Sequence, residues 1–260
     1  MKKSLQMHAA EALEDIGPVA SVDPAPAGAK VLLVCEHASN HIPDVFGGLG
    51  LSTEAQQSHI AWDPGALGVS RATAKTLEAP LVWGCISRLV YDCNRPPEAE
   101  SAIPARSEVY DIPGNAGLSK AEKALRVSGV YDPFRRLLGR EIHRRKDALR
   151  LMVTIHSFTP TYHGKMREVE IGILHGEDPR FAVAMMEDPP KAMDQALRMN
   201  EPYSASDGVA HTLDLHGTAN GFLNVMIEIR NDLIDTPIQQ ERIGKQLAKW
   251  VDGTLAGMSG

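Results

Sequence analysis

Cysteine is scarce in this chain. The three present, Cys35, Cys85 and Cys93, never fall into a Cys-x-x-Cys spacing. A disulfide framework is therefore not expected. Two of the three sit inside apolar runs, where a small buried thiol is the ordinary role, and a reducing cytoplasm is the expected setting. Long apolar runs are also missing, so no segment is expected to span a bilayer. The N-terminal Met1-Lys2-Lys3 is followed not by an apolar stretch but by Glu11, Glu14 and Asp15, which speaks against a secretory leader. Basic excess is absent as well. A formal net charge of -6 argues against a generic polyphosphate partner, and neither a basic domain nor a recognised module supports nucleic-acid binding. No repeat or low-complexity tract interrupts the chain.

What is present suits one folded α/β unit. The 260 residues are 43% hydrophobic and 23% charged, enough to bury a full core. Residues 1–28 are acidic and rich in Ala and Pro, and read as a helical or partly ordered arm, leaving 29–260 as a single domain. Lys30 to Cys35 is a near-continuous apolar run, the pattern of a strand covered on both faces. Helical spacing follows over Asp63 to Leu77, with Asp63 as a candidate N-cap and Pro64 in the first turn. Residues 79–86 read as a strand, with Arg88 to Asp92 close behind. Residues 96–117 read as a long loop, of the kind that is functional or mobile, and a lid is one expectation for it.

Ser119 to Glu122 opens a helix with a capping box, and Asp132-Pro133 opens another running to Arg150 with a basic outer face. Strands are expected at Leu151–His156, Val169–Leu174 and Leu223–Ile229. Helices are expected at Pro179–Met199 (interrupted by Pro189 and Pro190), Asp207–Asn220 and Pro237–Leu255. Strands alternating with helices predict a mixed, mostly parallel sheet sandwiched by helices.

Three apolar runs end in side chains that carry chemistry: His37, His156 and Glu228. In open α/β sheets function collects beyond the carboxyl ends of strands. A lone histidine there is ordinarily a satisfied interior group. Two imidazoles and a carboxylate at equivalent strand ends are instead what a catalytic zinc requires.

The motifs around these residues resemble a known family. Cys35-Glu36-His37-Ala38-Ser39-Asn40-His41-Ile42-Pro43, His59-Ile60-Ala61-Trp62-Asp63 and Ser87 to Pro97 are similar to the N-formylglutamate amidohydrolases. Asn200 to Ser204 and Leu213 to His216 continue the likeness, which spans about residues 30 to 240. The order His37, Asn94-Arg95, Ile155-His156-Ser157, Ile227-Glu228-Ile229-Arg230 also resembles the wider zinc-carboxypeptidase superfamily.

The resemblance implies a phosphorylase/hydrolase-like α/β fold and zinc-dependent hydrolysis of an N-formyl or N-acyl amino acid, with N-formyl-L-glutamate the first choice. Other N-acyl amino acids, a short peptide, or carboxylate binding without catalysis are the alternatives. It implies that His37 and His156 hold the metal. The superfamily places an acidic ligand three residues after the first histidine, where this chain has Asn40, a poor zinc ligand. Asp63 is the preferred third ligand, with a helix N-cap as its alternative role. Glu36 is expected to point away from His37 if the strand stays extended. Glu228 is the candidate general base, with Arg230 on its face of the strand. Arg95 and Asn94 are candidates for binding a substrate carboxylate. Arg88 is a candidate for a second anion contact and the oxyanion, or for an ion pair with Asp92. Tyr203 is a candidate hydrogen-bond partner of the substrate. Manganese, iron or nickel would also suit such a ligand set.

Overall fold

Strands β1 (Ala20–Asp23), β2 (Val31–Cys35), β3 (Leu81–Gly84), β6 (Leu151–Phe158), β9 (Ile171–Leu174), β10 (Leu197–Met199) and β11 (Leu223–Arg230) form one sheet in this computed structural model. Two hairpins stand outside it: β4 (Arg106–Ser107) with β5 (Tyr110–Asp111), and β7 (Thr161–Tyr162) with β8 (Lys165–Met166). The structure describes residues 15–204 and 207–258, so the helical reading of the arm over residues 1–14 lies outside the described residues. The sheet order is β1-β3-β2-β6-β11-β9-β10. Neighbours run parallel except at β1–β3 and β11–β9. The mixed, mostly parallel sheet expected from the sequence is present. Residues Ala20–Asp23 of the expected arm form its edge strand.

Period-two alternation divides the core into two layers. Val31, Leu33 and Cys35 of β2, Val153 and Ile155 of β6, and Val225, Ile227 and Ile229 of β11 belong to one layer. Helices α2 (Ala66–Leu77), α5 (Arg180–Glu187) and α6 (Pro237–Gly257) cover it. From α6, Ile243, Leu247 and Val251 are fully buried there. Each such side chain contributes about 1.5–3 kcal/mol through removal from water. Leu32, Val34, Met152 and Met226 face the other layer. There they meet Phe134, Leu138 and Ile142 of α4 (Asp132–Arg144) and the loops that build the site. Thr154, His156 and Glu228 point to this second face by the same alternation.

Several local expectations are corrected. The capping box at Ser119 and Glu122 forms, but α3 (Lys120–Arg126) continues through a wide π-turn at Val127–Tyr131 straight into α4. The wider turn accommodates Pro133, which has no N–H to donate. This helix ends at Arg144, short of Arg150. The Pro189-Pro190 pair stops α5, and Leu197–Met199, expected to be helical, forms edge strand β10 beside β9. Helix α2 begins at Ala66, not at Asp63. Its cap is Gly65, at φ +81, where an added Cβ would meet the Ile234 carbonyl oxygen at 2.5 Å. The loop over 96–117 carries the β4–β5 hairpin and two single-turn helices.

Gly84 closes β3 directly against the next loop. A Cβ there would lie 2.1 Å from the Glu36 carbonyl oxygen, so the backbone of one or the other must shift. Gly84→Ala is expected to lower stability by about 1–3 kcal/mol through overpacking. A denaturant midpoint unchanged from wild type would show that the Glu36 turn yields freely.

Candidate active site

Strand β2 ends at Cys35, and the chain turns at Glu36 and His37 instead of continuing extended. The His37 carbonyl accepts from the Asp63 N–H at 2.9 Å, fixing the loop after α1 (Thr53–Gln57) beside the turn. His156 arrives from β6, and Glu228 is its register partner on β11. All four side chains are 2–5% exposed.

His37 Nδ1 and His156 Nδ1 approach to 3.2 Å, and Asp63 Oδ2 lies 3.3 Å from the first and 2.9 Å from the second. The opposite nitrogens meet carboxylates. His37 Nε2 contacts Asp92 Oδ1 at 2.7 Å, and His156 Nε2 lies 3.2 Å from Glu36 Oε2, in ion-pair range although off the direct line of the N–H. An outer carboxylate that accepts a hydrogen bond from Nε2–H leaves the Nδ1 lone pair turned inward. These residues fit a tetrahedral divalent ion. Bonds of about 2.0–2.2 Å separate neighbouring ligands by roughly 3.3 Å, close to the spacings of the three donors. Among the described residues this is the cluster whose geometry could hold a metal ion.

The charges are mutually supporting. Burial opposes ionisation of Asp63, yet His37 and His156 hold its carboxyl far below the usual range. Asp92 is likewise depressed against its burial, by His37 and Arg88. For His156 burial again works against charge, but Glu36 and Asp63 outweigh it and raise the pKa. Glu228 is the exception. Burial, opposed by His156 and reinforced by Asp63, pushes it up to about 7. Its Oε2 has no hydrogen-bond partner among the described residues. An unpaired buried oxygen costs about 1–3 kcal/mol and calls for a reason.

A cavity of about 460 Å³ opens over the cluster, bordered by Glu228, Arg88, Asn94, Arg95 and Tyr203 together with His37, Asp63 and His156. Arg88 is not a free cation there. Its guanidinium is shared between Asp63 Oδ1 at 3.3 Å and Asp92 Oδ2 at 2.9 Å, so the Asp92 ion pair considered from the sequence forms. Asn94 borders the cavity while its amide donates to the Val209 carbonyl at 2.6 Å and accepts from the Thr212 N–H at 2.9 Å, anchoring the segment over 209–212. The Arg95 guanidinium donates to the Asn94 carbonyl, and no carboxylate pairs with it among the described residues.

Arg230 is not among the described residues that border the cavity. It closes on Glu170, Asp232 and the Arg167 carbonyl, because β11 ends there and the chain turns outward. Tyr203 follows the cis Glu201-Pro202 bond, and its hydroxyl accepts from Arg167 at 3.2 Å. Burial and Glu228 raise the Tyr203 hydroxyl to about 12. Asn40 is not among the described residues that border the cavity, and its amide donates to the Gln56 carbonyl. Asp214 accepts from the Glu177 N–H instead of bordering the cavity, and His216 does not border it either.

The sequence missed two carboxylates that hold the histidines. Glu36 was expected to point away, but the strand ends one residue before it. Asp92 reads from the sequence only as an ion-pair partner of Arg88 or Arg95. A signal was available for both: each lies in the same motifs as the candidate ligands. His59, on the cavity wall, pairs with Glu108 at the β4–β5 tip at 2.9 Å.

A mixed α/β sheet with two imidazoles and a carboxylate converging beside a second buried carboxylate defines a hydrolase-type centre that could hold a metal. The chain belongs to the N-formylglutamate amidohydrolase family, whose pattern matches residues 29–235. It is 49% identical to a gene product of Agrobacterium tumefaciens of known structure, covering 95% of this chain and 98% of that one at a TM-score of 0.91. It shares its fold with an N-formylglutamate amidohydrolase of Ralstonia eutropha at 13% identity, over 90% of this chain and 98% of that one, at a TM-score of 0.64. No curated protein matches the sequence. Among the described residues no helix is long and apolar enough to cross a membrane.

Proposed function

We propose that the protein is a zinc-dependent amidohydrolase that cleaves the amide of an N-formyl or N-acyl amino acid, with N-formyl-L-glutamate the first candidate. The observation that carries this reading is the convergence of His37 Nδ1, His156 Nδ1 and Asp63 Oδ2 within 2.9–3.3 Å beside Glu228, whose Oε2 has no hydrogen-bond partner among the described residues. A bound divalent ion would polarise the amide oxygen and acidify a water. Two imidazoles and a carboxylate suit zinc, and manganese, iron or nickel would compete by availability.

The remaining roles belong to the chain. Glu228 Oε2 accepts a proton from the attacking water and returns it to the amine nitrogen as the C–N bond breaks. Asp92 and Glu36 hold the two imidazoles with Nδ1 turned inward. Arg88, anchored by Asp63 and Asp92, turns its remaining N–H groups toward the developing oxyanion. Arg95 takes the carboxylate of the amino-acid half as a bidentate fork. The Tyr203 hydroxyl, already accepting from Arg167, donates to the substrate. The free thiols Cys35, Cys85 and Cys93 suit a reducing compartment such as the cytoplasm.

Metal content and release of formate from N-formyl-L-glutamate, measured on one sample before and after chelation, test the proposal. Stoichiometric metal, chelator-sensitive turnover and loss of both in His156→Ala are expected. A metal-free wild type that zinc does not activate would overturn the mechanism.

A further inference from the structure

A second cavity of about 570 Å³ adjoins the first at Tyr162, Tyr203 and Asp207, and is walled by Arg167 and Arg198 with the acidic Glu168, Glu201 and Asp207 around its rim. Sheet order sets the direction. The cluster rides on β2, β6 and the Asp63 loop, and the loop after β3, which carries Arg95, lies to one side. Strands β9 and β10, which flank the second cavity through Val169 and Arg198, lie to the other. A substrate held at Arg95 by its amino-acid carboxylate, with its amide at the cluster, therefore points its acyl group toward Tyr203 and beyond. A formyl group, which has no carbon past the carbonyl, would leave that space empty.

Arg167 is built as a fixed cation there. Its guanidinium lies 4.6 Å from the Tyr162 ring centre, 5.2 Å from Tyr203 and 5.4 Å from Phe158. It donates to the Thr159 carbonyl and to the Tyr203 hydroxyl. No carboxylate pairs with it among the described residues, whereas nearby Arg230 is closed by two. Stacking on aromatic faces fixes the guanidinium plane without neutralising it, which is the state that suits recognition of a carboxylate.

We propose that the second cavity is an acyl-side subsite for a dicarboxylic acyl group, whose far carboxylate pairs with Arg167 while its chain lies along Tyr162 and Tyr203. The inference rests on the amidohydrolase reading for its reaction. With N-succinyl-L-glutamate as probe, water adds its hydroxyl to the acyl carbon, the C–N bond breaks, and the nitrogen takes the proton. The products are succinate and L-glutamate.

Two measurements separate the subsite from the reaction. In calorimetric titration of the metal-loaded protein, succinate should bind at least tenfold tighter than butyrate, which has the same chain length without the second carboxylate. The difference should vanish in Arg167→Met and be partly kept in Arg167→Lys, with circular dichroism checking that both variants fold. In turnover, kcat/KM for N-succinyl-L-glutamate should exceed that for N-butyryl-L-glutamate at least tenfold, with the same dependence on Arg167. Equal binding of the two acids by wild type, or a preference that survives Arg167→Met, would overturn the subsite and leave Arg167 as a brace for the β7–β8 hairpin. Failure to hydrolyse any N-acyl glutamate would instead sink the amidohydrolase reading, and the titration would still decide the subsite.

Discussion

Glu228→Gln is expected to cut kcat by 10²–10⁴-fold while leaving metal content unchanged, because it removes a base without removing a ligand. The same variant should be more stable than wild type in chelated protein at pH 8. The pKa of Glu228 rises from an ordinary 4.5 to about 7 in the fold, chiefly by burial, so the native state favours its neutral form. A group raised in this way loses its contribution as pH climbs from about 4.5 through 7. By pH 8 the ionised side chain costs on the order of 3 kcal/mol relative to a neutral one. Glutamine does not titrate, so the gap in Tm should be near zero at pH 4.5 and widen to pH 8. A gap that stays flat across that range would mean that Glu228 is not held protonated in the fold. In the loaded enzyme the added positive charge favours the carboxylate, and the acidic limb of kcat/KM should fall below 7.

Asp63→Asn should have the second large effect. Asp63 Oδ2 is the acceptor that faces both Nδ1 atoms, and its Oδ1 holds Arg88. Removing its charge strips one anion from beneath two imidazoles and a guanidinium, all largely withdrawn from water. Metal affinity should drop at least 100-fold, beyond the 10–100-fold typical of outer partners. The metal-free protein should also lose about 3 kcal/mol, as when one member of a buried charge pair is removed. Competition against a chromophoric chelator reads the first effect and denaturant unfolding the second. Wild-type affinity in this variant would exclude Asp63 from the ligand set and return attention to Glu36.

What the sequence made legible follows from which forces act locally. Strands β2, β6 and β11 are continuous apolar runs whose ends can be read from hydropathy, so His37, His156 and Glu228 could be picked out together. The capping box at Ser119 is a contact between residues three apart and needs no knowledge of the rest of the chain. Spacing alone predicts helix for Leu197–Met199, because its pairing with β9 is a tertiary event that spacing does not encode. Asp63 had two readings since an acidic residue before Pro64 and a helix looks the same whether it caps or ligates. Its true partners lie 26 and 93 residues away in sequence. Asn94 and Arg230 illustrate the same point: a polar side chain in a motif carries no mark of its distant partners, here the Thr212 N–H and Glu170, 118 and 60 residues away.

The pairing of Glu228 with His156 has a consequence for how such a molecule can change. These two residues sit opposite one another on adjacent parallel strands, so their spacing is inherited from the roughly 4.8 Å repeat between neighbouring chains in any sheet. That repeat is maintained by main-chain bonds along the whole of β6 and β11 and is indifferent to the side chains of the rim. The β4–β5 and β7–β8 hairpins could be lengthened, exchanged or randomised to admit other acids while the proton acceptor and the imidazole kept their separation. The reacting pair is part of the frame, and the choice of substrate is trim that can be refitted around it.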